Sequence, residues 1–155
     1  MKYFVRQRFS AKIQALLDQI GDREIPTVER SAPFEEILEA ITRFTRSQMI
    51  YVVDEKGRLA GTLSLDTIVR HSFFEHLELD VDPWRIMRQI TEERAEELMR
   101  RKNLTARPEE EVQKVLHRMI EAEFREIAVV DGSGRLLGDV TMVDIIRFLM
   151  RNGGD

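Results

Sequence analysis

The sequence has no cysteine, which excludes disulfides, thiol catalysis and zinc sites built on cysteine. It also has no excess of positive charge, because 24 lysines and arginines stand against 28 acidic residues. The net charge of −4 argues against a nucleic-acid partner, which usually requires a basic face. No apolar run approaches the roughly 18 residues of a membrane helix, and the N-terminus lacks the apolar core of a signal peptide. We therefore expect a cytoplasmic protein, for which membrane contact would require a partner.

Motifs that mark common enzyme sites are also absent. The sequence contains no G-x-x-x-x-G-K-[ST] loop, no H-E-x-x-H pair and no G-x-S-x-G element. Residues 132–134 (GSG) fall between two predicted strands, which indicates a hairpin turn. His71 and His76 lie in an acidic segment that either holds a divalent ion or is simply solvated, but their spacing matches no known ligand set. We expect neither catalysis nor a metal site.

The sequence does contain an internal repeat. Residues 124–146 are a partial copy of residues 46–69, with seven identities in a ten-residue window and no gap. The identical residues recur 77 positions later, with Val52, Val53, Asp54, Gly57, Arg58, Leu59 and Gly61 returning as Val129, Val130, Asp131, Gly134, Arg135, Leu136 and Gly138. A tandem repeat of this kind indicates two copies of one small structural unit.

Each copy predicts the element order β-α-β-β-α. We place an N-terminal helix at 1–23, the first repeat at 24–73, a helical linker at 74–101 and the second repeat at 102–150. Strands are predicted at 25–28, 49–53 and 58–63, and again at 103–106, 126–130 and 135–140. One unit is too small to bury both faces of its sheet. The expected fold is therefore α/β (α+β), with the repeats packed sheet to sheet about a pseudo-two-fold axis.

The helices around these strands have apolar faces or recognisable start signals. In the second repeat, Pro108 and the glutamates at 109–111 should open a helix, because negative charge suits its positive end. Further helices are predicted at 33–45, 65–73, 92–101 and 142–150. The helix at 1–20 has apolar residues at helical spacing and ends at Gly21. It could pack on the repeat core, on a second subunit or on a membrane surface. Trp84 in the linker should likewise pack on its own module or on a partner.

Two segments of the second repeat carry a family resemblance. They are FREIAVVD at 124–131 and GDVTMVD at 138–144, where Asp139 stands at a position that is more often apolar. With the repeat, they resemble the cystathionine-β-synthase (CBS) domain, which occurs in pairs called Bateman modules, over about residues 24–150. The resemblance implies a stand-alone regulatory module of bacterial or archaeal type that forms a homodimer and controls an unknown protein. It also implies that AMP, ADP, ATP or S-adenosylmethionine binds between the repeats.

Thr141 and Asp144 form the candidate ligand site. Thr141 falls at the junction of strand and helix, where unpaired helix N–H groups attract anions. Asp144, three residues later, points the same way and could accept hydrogen bonds from both hydroxyls of a ribose. The alternative is that these two residues only cap the helix.

The resemblance implies four further contacts in the same repeat. Arg125 would bind phosphate, since its charge does not depend on pH and its guanidinium can grip oxyanions with two hydrogen bonds. Ile127, Ala128 and Ala106 would line the adenine. Each has a plain alternative, because Arg125 could be a surface residue paired with a glutamate and the three apolar residues could be ordinary core.

The first repeat departs from this pattern. Ser64 stands where Thr141 does, but Thr67 replaces Asp144 and Asp66 is shifted by one residue, which is about 100° on a helix. We therefore expect one site per chain, built mainly from the second repeat, with Ser64 as a first-repeat contact. The alternative functions are a ligand-free dimerisation scaffold and an accessory subunit of an enzyme or transporter.

Overall fold

The computed structural model describes residues 10–44, 46–71 and 93–151 of the 155-residue chain. The helices in these stretches are α1 (Ile13–Ile20), α2 (Phe34–Arg43), α3 (Leu65–Val69), α4 (Ala95–Leu98), α5 (Val112–Glu121) and α6 (Met142–Met150). The strands are β1 (Thr27–Glu29), β2 (Met49–Val53), β3 (Leu59–Ser64), β4 (Thr105–Ala106), β5 (Glu126–Val130) and β6 (Leu136–Thr141). The predicted β-α-β-β-α order is confirmed in both repeats. Predictions for residues 1–9, for the linker with His76 and Trp84, and for the C-terminal tail lie outside the described residues.

The two repeats form three-stranded sheets with the same topology. In each sheet the first strand is parallel to the second, and the second is antiparallel to the third. Both antiparallel pairs shift register at the same place, with Val52 opposite Gly61 but Val53 opposite Leu59, and Val129 opposite Gly138 but Val130 opposite Leu136. Residues that recur 77 positions apart in the sequence therefore form the same strand pairing in both sheets, including this irregularity.

The hairpin turns explain several of the repeated residues. Asp54 Oδ1 accepts hydrogen bonds from the backbone N–H groups of residues 56 and 58, and Asp131 Oδ1 accepts from those of residues 133 and 135. Gly57 and Gly134 have φ angles of 76° and 86°, which favour glycine. Hydrogen bonds lower the pKa of both aspartates, chiefly from the Arg58 backbone N–H for Asp54 and from the Ser133 hydroxyl for Asp131. The Gly-bearing segment at 132–134 is therefore a turn, as predicted.

The chain is divided into two compact units that do not follow the order of the sequence. The first-repeat unit comprises residues 26–103, and the second-repeat unit combines the chain up to residue 25 with the chain from residue 104. As a result, α1 precedes the first repeat but belongs to the second-repeat unit. Conversely, α4 precedes the second repeat but belongs to the first-repeat unit. Each repeat is completed by a helix from the segment that precedes the other one.

We call α1 and α4 the exchanged helices. Each is attached to its unit by an equivalent pair of backbone hydrogen bonds. The first two residues of α1 donate to carbonyls just before α5, and the first two residues of α4 donate to carbonyls just before α2. The N···O distances are 2.9 Å for Ile13 to Glu110, 3.0 Å for Gln14 to Pro108, 2.9 Å for Ala95 to Ala32 and 2.9 Å for Glu96 to Arg30. These N–H groups lie in the first turn and would otherwise lack a partner within the helix.

This attachment corrects the predicted start of α5. The helix begins at Val112, so the glutamates at 109–111 do not supply acidic residues to its first turn. The carbonyls of Pro108 and Glu110 accept hydrogen bonds from α1, which keeps this segment out of the helix. The Glu110 carboxylate instead binds Arg118 at 2.7 Å and the backbone N–H of Arg107 at 2.9 Å. Burial alone would raise the pKa of Glu110, but these contacts outweigh it and lower the pKa.

The second-repeat core includes α1. Ile13 and Leu16 are fully buried in a cluster with Ala106, Val112, Val115, Met119, Ile127, Val129, Val140, Ile145 and Phe148. Of the three placements considered for this helix, the structure shows packing on the repeat core. Its end at Gly21, which has a φ of 70°, is as predicted.

Glycines in the third strand of each sheet allow these helices to approach closely. A β-carbon at Gly138 would lie 2.9 Å from Cδ2 of Leu17 in α1. At Gly61 it would lie 2.5 Å from Sδ of Met99 and 2.9 Å from the carbonyl oxygen of Arg100, just after α4.

Within the described stretches, no helix has the length and apolar character needed to cross a bilayer.

Candidate ligand site in the second repeat

The structure places Thr141 and Asp144 together at the N-terminus of α6. Thr141 is the N-cap residue, and its Oγ1 accepts a hydrogen bond from the backbone N–H of Asp144 at 3.1 Å. The Asp144 carboxylate accepts in return from the backbone N–H of Thr141, with 2.8 Å between N and Oδ2. This reciprocal capping box satisfies two helix donors. The predicted pair is therefore assembled, and the capping that was its structural alternative is present.

A third residue, Arg23, binds Asp144 with both ends of its guanidinium. Its Nη1 lies 2.8 Å from Oδ1 of Asp144, and its Nη2 lies 2.8 Å from Oδ2. Nη2 also donates to the backbone carbonyl of Asp139 at 2.9 Å and lies 3.6 Å from Oδ1 of the Asp139 side chain. We call Arg23, Asp139 and Asp144 the Arg23 cluster. It joins the segment just after α1 to the motif at β6 and α6.

In the Arg23 cluster, burial and the hydrogen bonds to Asp144 shift the pKa of Asp144 in opposite directions. The side chains of Asp139 and Asp144 are 1% and 3% exposed, whereas that of Arg23 is 21% exposed. Burial would raise the pKa of Asp144, but hydrogen bonds from Arg23 and Thr141 outweigh it and lower the pKa below its ordinary value. The hydrogen bond to Asp144 in turn raises the pKa of Arg23. Arg23 and Asp144 are therefore both charged at neutral pH.

Arg23 and Asp139 are functional candidates that sequence reasoning missed. Arg23 lies 121 residues from Asp144, so no local pattern connects them. A signal did exist, because Asp139 replaces the apolar residue that is more usual at its position in the motif. A buried carboxylate requires a cationic or hydrogen-bonding partner, and such a partner could have been sought among the arginines.

The other predicted site residues lie in different surroundings. Arg125 is exposed, and its backbone carbonyl accepts a hydrogen bond from the N–H of Met142 at 2.9 Å, which places it beside the start of α6. Ile127 and Ala106 belong to the second-repeat core. Ala128 is also buried, but it lies on the opposite face of β5 from Ile127. A role for these three apolar residues against an adenine stays a prediction.

At the corresponding site in the first repeat, the described residues supply a cap but no equivalent carboxylate. Ser64 caps α3, accepting from the backbone N–H of Thr67 at 3.1 Å, and the two hydroxyls lie 2.9 Å apart. The side chain of Asp66 is 73% exposed and pairs with Arg70 at 3.0 Å. The predicted rotation of Asp66 away from the Asp144 position agrees with this pairing.

Two cavities flank the Arg23 cluster within the second-repeat unit. One, of about 220 Å³, is lined by Arg23, Asp144, Arg147 and Arg151 together with residues of α1. The other, of about 430 Å³, lies between the end of α1 and residues 137–139 and is also lined by Arg23. In the described part of the chain, no group of three or more histidine, aspartate or glutamate residues is placed to hold a metal ion.

Similar proteins of known structure share this fold. A CBS domain of a membrane protein from Sphaerobacter thermophilus matches with a TM-score of 0.74 at 20% identity, covering 95% of this chain and 93% of that one. CBSX2, solved in complex with AMP, matches with a TM-score of 0.68 at 19% identity, covering 88% of this chain and 94% of that one.

A magnesium transporter is similar in sequence as well. MgtE from Thermus thermophilus is 31% identical over 94% of this chain, but the chain spans only 34% of the transporter. The solved cytosolic domain of the Mg²⁺ channel MgtE, in complex with ATP, matches with a TM-score of 0.59 at 31% identity. That match covers 77% of this chain and 43% of the solved chain.

The family itself is shown by a family model. The model of the CBS domain matches twice, at residues 17–73 and 95–151. Its first match begins within α1 and its second at the start of α4, so both exchanged helices fall partly or wholly inside the family pattern. This chain belongs to the CBS domain family and carries two CBS domains in tandem.

Proposed function

We propose that this tandem CBS pair is a regulatory module that binds an adenosyl ligand at the N-terminus of α6. The candidate ligands are AMP, ADP, ATP and S-adenosylmethionine, and binding would change the conformation or assembly that a separate protein recognises. The observation that carries the proposal is the placement of Thr141 and Asp144 side by side at this helix end, at the matching positions of the family motif.

The residues present fit the parts of such a ligand. Asp144 supplies a buried carboxylate for the hydroxyls of a ribose, and the N-terminus of α6 supplies a positive dipole end for a phosphate. Arg125 adds an exposed cation beside the first residue of α6. A nucleotide with one or more phosphates uses all three features, whereas S-adenosylmethionine uses only the carboxylate.

Relatives supply independent support. The solved cytosolic domain of MgtE, at 31% identity, contains ATP, and the more distant CBSX2 contains AMP. The two ligands share the adenosyl group, which is the part that Asp144 is proposed to bind. A ligand regulates such a module only if it binds one of two conformations more tightly than the other.

The test is calorimetric titration with the four candidate ligands. Asp144→Asn keeps the size of the side chain but removes its charge, while Asp66→Asn removes the exposed carboxylate of the first repeat and serves as the matched control. A hydrogen bond to a charged group contributes about 1.5–3 kcal/mol, so losing two from a ribose weakens binding by roughly 100-fold or more. We expect this loss in Asp144→Asn and unchanged affinity in Asp66→Asn.

A second candidate function is a ligand-free interaction scaffold. The observation that favours it is the occupation of the Asp144 carboxylate by Arg23 and Thr141, which gives the motif a complete structural role. If none of the four ligands binds wild-type protein below millimolar concentration, the scaffold becomes the better account. Binding that is equally strong in Asp144→Asn would retain the sensor but move its site elsewhere.

We also propose that two copies of the module associate. The apolar face of α1, considered at first as a contact surface, is used within the second-repeat core as far as it is described. α6 instead exposes Val143, Ile146 and Met150, at 59%, 55% and 73% of their surfaces. These residues lie on one face of the helix and give a second copy an apolar surface to cover. Light scattering on the purified chain would show whether it is a dimer.

A further inference from the structure

We propose that Arg23 competes with the ligand for Asp144, so that a ribose binds only when the guanidinium leaves. This inference rests on the proposed function and adds a regulatory step to it. The segment that follows α1 would then act as an internal inhibitor of the second-repeat site, and its displacement would carry the signal of ligand binding.

Asp144 can accept only a limited number of hydrogen bonds. Its Oδ2 accepts from the Thr141 backbone at 2.8 Å and from Arg23 at 2.8 Å, while Oδ1 accepts from Arg23 at 2.8 Å. Arg147 lies 3.7 Å from Oδ1 on another side. A carboxylate has about four acceptor positions, so room for two ribose hydroxyls does not remain beside a bidentate guanidinium. The two partners therefore exclude one another.

Arg23 is able to leave Asp144. Its Nε is buried and has no hydrogen-bond partner within the described residues, so the present position does not satisfy the whole guanidinium. Arg23 lies two residues after Gly21, whose φ of 70° is in the left-handed region, and it stands in a segment without regular structure. The cavity of about 430 Å³ beside residues 21–23 provides space for the displaced side chain.

The two ends of α1 are held by different contacts. The start of this helix is fixed by the hydrogen bonds of Ile13 and Gln14 and by buried apolar contacts. Its end is followed within three residues by Arg23, whose contacts with the Arg23 cluster tie this segment to β6 and α6. Displacing Arg23 removes these contacts while leaving those at the start of the helix in place. The ligand would thus loosen the end of α1 and the segment up to Arg23, which lies three residues before the first-repeat unit begins at residue 26.

A substitution at Asp139 can weaken the binding of Arg23 while leaving the proposed ribose contact, Asp144, unchanged. Its carboxylate lies 3.6 Å from Arg23 and adds attraction that holds the guanidinium in place. Asp139→Asn removes this attraction and leaves Asp144 intact. Arg30→Gln is the control, because Arg30 forms an exposed ion pair with Glu96 at 3.4 Å in the first-repeat unit.

The experiment titrates adenosine into wild type, Arg23→Gln, Asp139→Asn and Arg30→Gln. Adenosine has no phosphate, so removing an arginine cannot weaken binding by removing a phosphate contact. If Arg23 occupies Asp144 in about 90% of unliganded molecules, its removal raises the apparent affinity about ten-fold. We expect a gain of this size for Arg23→Gln, a smaller gain for Asp139→Asn and no change for Arg30→Gln.

Hydrogen exchange supplies a second readout that does not depend on affinity. Adenosine should accelerate amide exchange at the end of α1 in wild type, whereas in Arg23→Gln exchange there should be fast already and unaffected by ligand. The competition is refuted if wild type binds adenosine and both Arg23→Gln and Asp139→Asn bind it equally or more weakly. That result would leave the proposed sensor function unaffected. If none of the four proteins binds any adenosyl ligand, the proposed function itself fails, and the competition with it.

Discussion

Leu16→Ala tests whether α1 is a structural part of the second repeat. Leu16 is 1% exposed and lies in the second-repeat core, so the substitution leaves a cavity among residues drawn from both parts of the unit. A buried leucine truncated to alanine costs about 2–5 kcal/mol. Single domains have about 5–15 kcal/mol of stability in total, so this one change removes a large share.

The assay is urea denaturation followed by far-ultraviolet circular dichroism. With an m-value of about 2 kcal/mol/M, a loss of about 3 kcal/mol lowers the urea midpoint of the second-repeat unit by about 1.5 M. Gln14→Ala is the control, because Gln14 is exposed on the same helix and surface substitutions usually change stability by less than about 0.5 kcal/mol. If Leu16→Ala unfolds at the same urea concentration as Gln14→Ala, α1 is not part of the core and the reasoning is refuted.

Two further predictions concern the glycines of the third strands and the acid range. Gly61→Ala should destabilise by about 1–3 kcal/mol, because a β-carbon there meets the Arg100 backbone, whereas Gly138→Ala meets only the end of a flexible leucine and should cost less. Thermal melting would compare the stabilities of the two variants, and equal losses of stability would contradict the closer backbone contact assigned to Gly61. Because the folded pKa of Asp144 is lowered, its contribution to stability is complete above its ordinary pKa of about 4 and is lost as pH falls below that value. The difference in unfolding free energy between wild type and Asp144→Asn should therefore narrow in that range, and a difference that stays constant down to about pH 2 would count against the ion pair.

The central strand of each sheet and the final helix were predictable because their signals are local, whereas the four outer strands are shifted by one or two residues from their predicted bounds. β2, β5 and α6 have the predicted bounds. A short apolar run between turn residues defines each of these strands, and Thr141 is the N-cap that marks the start of the helix. The repeated aspartate and glycine of each hairpin likewise predict the turn in which they are found. In the hairpin turns and at the start of α6, neighbours in the sequence supply the hydrogen bonds, so the sequence pattern is sufficient.

The start of α5 and the position of α1 depend on partners that are distant in the sequence. The residues at 108–111 have a good helix-start composition, but carbonyls in this segment are taken by the first turn of α1. The periodicity of α1 shows that one face must be buried, and it does not say which repeat buries it. Arg23 was missed for the same reason, because an ion pair across 121 residues leaves no periodic trace.

The exchange of α1 and α4 between repeats also imposes an order on folding. The first-repeat unit is one continuous segment and can close as soon as residue 103 has been synthesised, which favours early folding. α1 is made before it, but its partners in α6 are made after it, so the apolar residues of α1 stay uncovered until residues 142–150 have been synthesised. Closing so long a loop is slow as well as late. A truncated chain that ends at residue 103 would therefore keep a complete first unit and present α1 as an exposed apolar segment, prone to bind chaperones and to aggregate.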